Sequence, residues 1–311
     1  MDVPMRRNAK EDEGMRRLLC GVLALMMLLA AGQALAETDF SAAFPDKFLT
    51  EGAEPIVTET SYQSHNIFIE ITTQRYLQSD VYVADIYVRS MDHFTRYYAQ
   101  NDWHKSKNAV PTMAKESSAI LALTGDSSQN FRSGWVMGNG VVEREGSGKA
   151  QNNLRDICIV YRNGEVRPVK APTIDQNDQV SEETDDIWHI FLFGPSLLDE
   201  EGKPYPNFKS VSPHEVQYAN PRSVLGYYEP GHYCFVQVDG RQTSSALDKG
   251  KKNKGLTLEE LSVLMESLGC KAAYNLDGGR SSMLWFGDGL ISTPAAVNRQ
   301  IGDILVISEG E

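Results

Sequence analysis

Near the C-terminal end of the chain, two apolar runs enclose Asn275-Leu276-Asp277-Gly278-Gly279-Arg280-Ser281-Ser282, a polar segment with a carboxylate, two glycines, a cation and two hydroxyls. A carboxylate just past a strand serves as base, nucleophile or metal ligand, and adjacent glycines let backbone N–H groups approach a ligand that larger side chains would hold off. The plainer reading is a turn in which Asp277 satisfies its own backbone. Three more strand ends carry charge: Asp126 follows Ala119–Leu123, Arg222 follows Asn220-Pro221, and Asp239-Gly240-Arg241 closes the run from Tyr233. Arginine forks that hold an anion, with a carboxylate as base or nucleophile, suit cleavage beside a phosphate or sulfate. Asp126, Asp239 and Asp277 equally suit Ca²⁺ or Mg²⁺ as hard oxygen ligands, and each arginine alone also fits a surface ion pair. There is no G-x-S-x-G elbow, P-loop, H-E-x-x-H or paired C-x-x-C. His93, His189 and His232 sit among apolar or aromatic residues and read as structural.

These residues need elements to position them. Thr257 and Glu260 form a capping box, Leu261, Leu264, Met265 and Leu268 repeat at helical spacing, and Gly269 ends the helix. Cys270 to Leu276 then reads as a short buried strand. Ile67, Ile69 and Ile71, and Tyr82, Ala84, Ile86 and Val88, alternate as in half-buried strands. Pro111 to Ser117 reads as a short helix with Pro near its start. Further strands are expected at 134–137, 157–161, 187–193, 224–227, 233–238, 283–286 and 304–307, with turns at Asn163-Gly164 and Gly287-Asp288-Gly289. Strands outnumber helices and hairpins outnumber crossovers. The expected class is α+β, a mainly antiparallel or mixed sheet with few helices in a single catalytic domain. The stretches Asp175–Asp186 and Ser244–Gly255, the second rich in lysine, read as solvated loops.

At the other end, Arg16-Arg17, an apolar run to Ala31 and Ala34-Leu35-Ala36 have the layout of a signal peptide or short anchor, with Met15 as an alternative start. Residues 1–36 are therefore set aside as a leader and 37–59 as an extension, leaving a domain at 60–308. The expected location is secreted or held at the outer face of a membrane through the leader. Thirty Lys and Arg against 42 Asp and Glu give the chain a net charge of −12, which disfavours nucleic acid and anionic membrane surfaces as partners. Cys158, Cys234 and Cys270 sit in apolar, strand-like surroundings and read as buried small hydrophobes rather than a disulfide framework.

Taken in order, several segments resemble the phosphodiester glycosidase family, bacterial relatives of the lysosomal uncovering enzyme. They are Ala119–Asp126, Gly138-Asn139-Gly140, Phe193–Leu197, Asn220–Gly226, His232–Phe235 with Val238–Arg241, Gly255–Leu258, Asn275–Gly279 and Arg299–Ile307. The likeness covers residues 60 to 308 and is closest to the exopolysaccharide-associated branch. It implies hydrolysis of the bond between a sugar anomeric carbon and a phosphodiester in a cell-envelope glycan or glycolipid. On this reading Arg222 and Arg241 hold the phosphate and Asp277 or Asp126 acts as base or nucleophile. Gly278, Gly279, Ser281 and Ser282 donate hydrogen bonds, and Asn275 orients the loop or a sugar hydroxyl. Asp239 and Arg280 complete the substrate-binding set. No cofactor is required, while a divalent cation stays open. Thr124 stands where the family has Asn, Ser127-Ser128 where it has aromatics, Arg280 where it has a third glycine, and 244–255 is an insertion. Those departures keep two alternatives in view: an inactive phosphoglycan-binding module, and a metal-dependent phosphodiesterase cutting on the phosphorus side.

Overall fold

β-Branched and aromatic residues dominate the alternating runs, and they build antiparallel sheets. The computed structural model describes residues 38–104, 106–146, 155–170, 179–211 and 213–310; the leader-like segment 1–36 lies outside them. Residues from Thr38 onward form one compact unit. The first sheet runs Ile56–Val57, Ser61–Gln63, Ile67–Tyr76, Ser79–Val88, His232–Val238, Arg222–Glu229 and Ala272–Asn275. The second runs Gly289–Leu290, Leu284–Phe286, Leu121–Thr124, Asp303–Ile307 and Phe94–Tyr98. The third runs Val166–Val169, Ile157–Tyr161, Ile187–Phe191, Val136–Gly138 and Val141–Arg144. Every pairing within these sheets is antiparallel, as the hairpin-rich sequence implies.

The three sheets each turn one face to a common core. Ile67, Ile69, Tyr82, Ala84, Ile86, Phe235, Phe94, Leu123, Leu305, Cys158 and Phe191 all belong to it. The outer faces are covered separately. The Leu258–Ser267 helix lays Leu258, Leu261, Leu264 and Met265 on Val81, Val83, Val224 and Val236 of the first sheet. The Val110–Glu116 helix lays Val110 and Met113 on Ala122, Trp285, Ile304 and Val306 of the second. The Ser79–Val88 strand is therefore buried on both faces, not half-buried as its alternation implied, because a helix covers the face that a simple sandwich would leave wet. Ile67–Tyr76, near the sheet edge, does keep an exposed face.

Two other expectations change. Of the acidic stretch Asp175–Asp186, the described part begins with helical residues 179–182 and buries Val180 against Trp135, Ile157 and Ile190, so it is more than a solvated loop. The extension also belongs to the unit: Ile56 and Val57 pair with Gln63 and Tyr62, and Phe40 enters the common core. Helix boundaries follow their signals. The Thr257 side chain accepts from the Glu260 N–H, Glu260 reciprocates at the Thr257 N–H, and Gly269 leaves the helix at φ +83°. Thr257→Ala is expected to lower unfolding free energy by about 1 kcal/mol in urea titration, without changing the denaturant slope.

Candidate active site

Antiparallel pairing puts the end of one strand beside the start of the next, and this gathers the charged loops. Val238 is opposite Arg222, Asn275 opposite Val224, Leu284 opposite Leu123 and Ile304 opposite Thr124. The loops around 125–128, 192–196, 219–222, 239–241 and 276–283 consequently meet at one end of the sheets. The first and second sheets join there directly, since the Asp277 N–H donates to the Gly125 carbonyl at 3.1 Å.

Beneath these loops lies a buried charge cluster. Arg96, on the inward face of the Phe94–Tyr98 strand, donates from Nε to Asp303 Oδ2 at 2.8 Å and lies 3.6 Å from Asp126 Oδ2. Its remaining nitrogens reach the Met137 and Ile190 carbonyls and the Ser128 hydroxyl. Asp303 also accepts from the N–H groups of Asp126 and Ser127 at 2.9 and 2.8 Å. Asp126 in turn accepts from Leu192 N–H at 2.8 Å and Phe193 N–H at 2.6 Å. Burial pushes the Asp126 carboxyl up to about 6, against the opposing pull of Arg96 and these two donors. Side-chain size matters here as well: a Cβ on Gly125 would stand 2.4 Å from Asp303 Oδ2.

Asp277 is different, because the residue as a whole is only half-buried. Ser127, held in the left-handed region at φ 48°, donates its hydroxyl to Asp277 Oδ2 at 2.7 Å. The Gly278 N–H donates to Oδ1 at 2.8 Å. Burial raises the Asp277 pKa above its ordinary value, opposed by the hydrogen bonds from Ser127, Ser281 and Gly278. Thr124 acts within the same loop: its hydroxyl donates to the Ser281 carbonyl at 2.6 Å and accepts from the Met283 N–H at 3.0 Å.

The two arginines lie close together. Arg222 is almost fully buried and donates to the carbonyls of Leu256, Val216 and Tyr218 at 2.7–2.9 Å. Burial first, and the nearby Arg241 second, lower its pKa to about 9. Arg241 is exposed, with φ 57°, bonds to Asn220 Oδ1, and has a nitrogen 3.3 Å from where a Cβ on Gly279 would stand. Neither arginine forms an ion pair among the described residues.

The other candidates are distributed around this centre. The Gly278 and Gly279 N–H groups are engaged inside the protein, the second on the Pro221 carbonyl at 2.9 Å, and Ser281 N–H bonds to the Gly278 carbonyl. Ser282 is fully buried with Ser223 and Gln237. Asn275 ties its Nδ2 to the Gly194 carbonyl at 2.8 Å and leaves Oδ1 buried without a partner. Asp239 accepts from the Thr293 N–H beside Tyr82 and is pushed up to about 7, chiefly by burial. Arg280 is exposed and unpaired among the described residues. Among those residues no three His, Cys, Asp or Glu side chains gather as metal ligands, and no helix is long and apolar enough to cross a membrane.

Sequence reasoning missed Arg96 and Asp303. Phe94, Arg96 and Tyr98 share the buried face of one strand, so an arginine in register with two aromatics was the available signal. Asp303 opens its strand just after Gly302, a carboxylate at a strand start like the others were at strand ends.

The β-rich unit thus gathers its charged strand-end loops at one end of the sheets, and the comparisons give its class as a glycosidase-type hydrolase. A family model for phosphodiester glycosidases matches residues 117–308, and the chain belongs to that family. The SPbeta prophage-derived uncharacterized protein YomE of Bacillus subtilis is 24% identical over 226 residues, which are 71% of this chain and 32% of that protein. The chain thus spans about a third of that relative's length. Among solved structures, the zebrafish N-acetylglucosamine-1-phosphodiester α-N-acetylglucosaminidase catalytic domain, auto-inhibited by its pro-peptide, superposes with a TM-score of 0.56. It is 18% identical, over 78% of this chain and 82% of that one. A hypothetical protein from Synechocystis gives a TM-score of 0.53 at 14% identity, over 82% and 64% of the two chains. These likenesses carry the expected α+β fold.

Removing Arg96 would leave two carboxylates in the interior with one cation fewer. Arg96→Met is expected to cost about 3–5 kcal/mol of stability in denaturant titration, and adding Asp303→Asn to recover part of that loss. A simple loss of packing would give no such recovery.

Proposed function

We propose that this protein hydrolyses glycosyl-1-phosphodiesters, breaking the bond between the sugar anomeric carbon and the phosphate oxygen. The observation that carries the reading is the company kept by the Gly278-Gly279 turn: Asp277 precedes it, and the Arg241 guanidinium rests against it. Burial first, and the neighbouring Arg241 second, hold Arg222 below its usual pKa, and neither arginine has a carboxylate partner among the described residues. An anion placed against the exposed Arg241 guanidinium is drawn by its charge and by that of Arg222 buried behind it, and a phosphodiester supplies one.

In this mechanism Asp277 is the reactive carboxylate, and Asp126, enclosed by N–H donors, fixes the loop that carries Ser127. Water, oriented by Asp277, bonds to the anomeric carbon as the carbon–oxygen bond to phosphate breaks. The bonding pair leaves with the phosphate oxygen, the water proton goes to Asp277, and Arg241 stabilises the charge that develops on the departing phosphomonoester. Phosphate is a good leaving group, so electrostatic clamping takes much of the place of a strong general acid. If Asp277 attacks first, its carboxylate oxygen bonds to the anomeric carbon as the phosphate leaves, water then displaces the carboxylate from that carbon, and the sugar configuration is retained. The substrates in view are phosphate-bearing envelope glycans, exopolysaccharides or glycolipids, consistent with the export layout of the leader. The Thr124 hydroxyl, by bridging Ser281 and Met283, holds the loop together at the position where the family carries Asn.

Arg241→Ala is expected to reduce kcat/KM on a sugar-1-phosphodiester by about 10²–10³-fold while changing hydrolysis of a neutral aryl glycoside far less. Equal losses on the two substrates would remove the phosphate clamp. Hydrolysis in ¹⁸O-water should label the sugar; label in the phosphate would point to attack at phosphorus, and binding without turnover to an inactive module.

The pH profile tests Asp277. A raised carboxyl pKa means that activity carried by its ionised form falls as pH drops through a value above 3.8. Asp277→Asn should abolish turnover. Ser127→Ala removes a hydrogen bond to the ionised form and should move the acid limb to higher pH; an unmoved limb would exclude Asp277 as the titrating group.

A further inference from the structure

Two cysteines that the site does not use stand side by side in the core. Cys234, in the middle of the first sheet, and Cys270, just past the Leu258–Ser267 helix, have Sγ atoms 3.7 Å apart, and both residues are buried. The room they share depends on residue 226. Gly226 pairs with Cys234 across the sheet, and a Cβ there would meet Cys234 Sγ at 2.5 Å, Met265 Cε at 2.8 Å and Cys270 Sγ at 2.9 Å. Any larger residue would fill the space in which the two sulfurs meet. Cys158 lies in the other core, apart from this pair.

We propose that Cys234 and Cys270 form a disulfide when the chain folds in an oxidising compartment. The oxidant is a disulfide, either on a thiol–disulfide exchange protein or on a small thiol. One cysteine thiolate attacks the donor disulfide and releases one donor thiol. The other then attacks the mixed disulfide and releases the second. The two cysteines together lose two protons and two electrons, and the donor gains them. The sulfurs, already in contact at 3.7 Å, have to close to the ~2 Å of a covalent bond.

The bond would tie the chain between residues 234 and 270 into a loop. That loop carries Asp239, Arg241, the 244–255 insertion and the capped helix, so the link would fasten the end of the helix to the sheet beneath it. This assigns two of the three cysteines that follow the leader-like segment a role beyond that of small apolar fillers and leaves Cys158 as the free thiol of that part. It does not depend on the hydrolase reading.

The test is to fold the full chain in a buffer of oxidised and reduced glutathione, quench it, denature and alkylate without reductant, and map the peptides by mass. The expected map has Cys234 and Cys270 linked to each other, with Cys158 and the leader's Cys20 outside that link. The linked protein should melt roughly 10 °C above the same protein kept under reductant, the shift that closing a loop of this length implies. A Cys234→Ala/Cys270→Ala double variant should melt at one temperature in both buffers. Alkylation of both cysteines after oxidative folding, glutathione left on either one, or a linked protein that melts no higher than the reduced form would overturn the proposal.

Discussion

The placement of Arg96 between Asp303 and Asp126 is the constraint on which the site depends. Three charges share a dry interior, and such a cluster persists only when every oxygen and nitrogen is matched. Here the matching is done by backbone. Asp303 takes the N–H groups of Asp126 and Ser127, Asp126 takes those of Leu192 and Phe193, and Arg96 takes the carbonyls of Met137 and Ile190. Satisfying the charges therefore fixes the path of two loops and joins the second sheet to the third. The left-handed conformation of Ser127 follows from that path, and it aims the hydroxyl at Asp277. A half-buried carboxylate is thus oriented by an ion cluster that no solvent reaches.

This chain of dependence sets what could be read from residues alone. The antiparallel class, the capped helix and most strands were legible, because periodicity and turn chemistry are local. The Leu258–Ser267 helix differs little from its expected span, and the Cys270–Leu276 run contracts to Ala272–Asn275. The Phe94–Tyr98 strand was not seen, since its aromatics and arginine give a short pattern without flanking turn signals. The role of Arg96 was hidden for a related reason. An arginine in a strand is usually solvated, and only a partner 207 residues away, Asp303, changes that. Sequence spacing carries no trace of such a pairing.

The strand-end charges divide by burial into two kinds. Asp126, Asp239 and Arg222 are enclosed, and their polar atoms hold backbone groups of neighbouring loops. Asp277 and Arg241 reach the surface. Sequence could identify the set, because carboxylates and arginines at strand ends stand out against apolar runs, but it could not divide the set, because the division depends on which loop lies over which. The glycines also change meaning. Gly278 and Gly279 were candidates for donating N–H groups to a ligand, yet the structure uses their small size to bring the turn onto the Pro221 carbonyl, with Cβ room of only 2.7 Å at Gly278.

Close packing of that turn also explains how Arg280 can stand in the loop at all. Gly278 is pressed against Pro221, Gly279 has positive φ and faces Arg241, and neither position accepts a larger residue without displacing backbone or guanidinium. Position 280 follows in a 3₁₀ turn whose side chain points outward, and it is exposed. A bulky cation is tolerated there because the constraint on the loop ends one residue earlier. The turn that holds Asp277 thus carries Arg280 at its exposed end, with Gly278 and Gly279 taking up the close packing before it. The cation leaves Asp277 as it was, because the bonds that hold that carboxylate come from Ser127 and the Gly278 N–H.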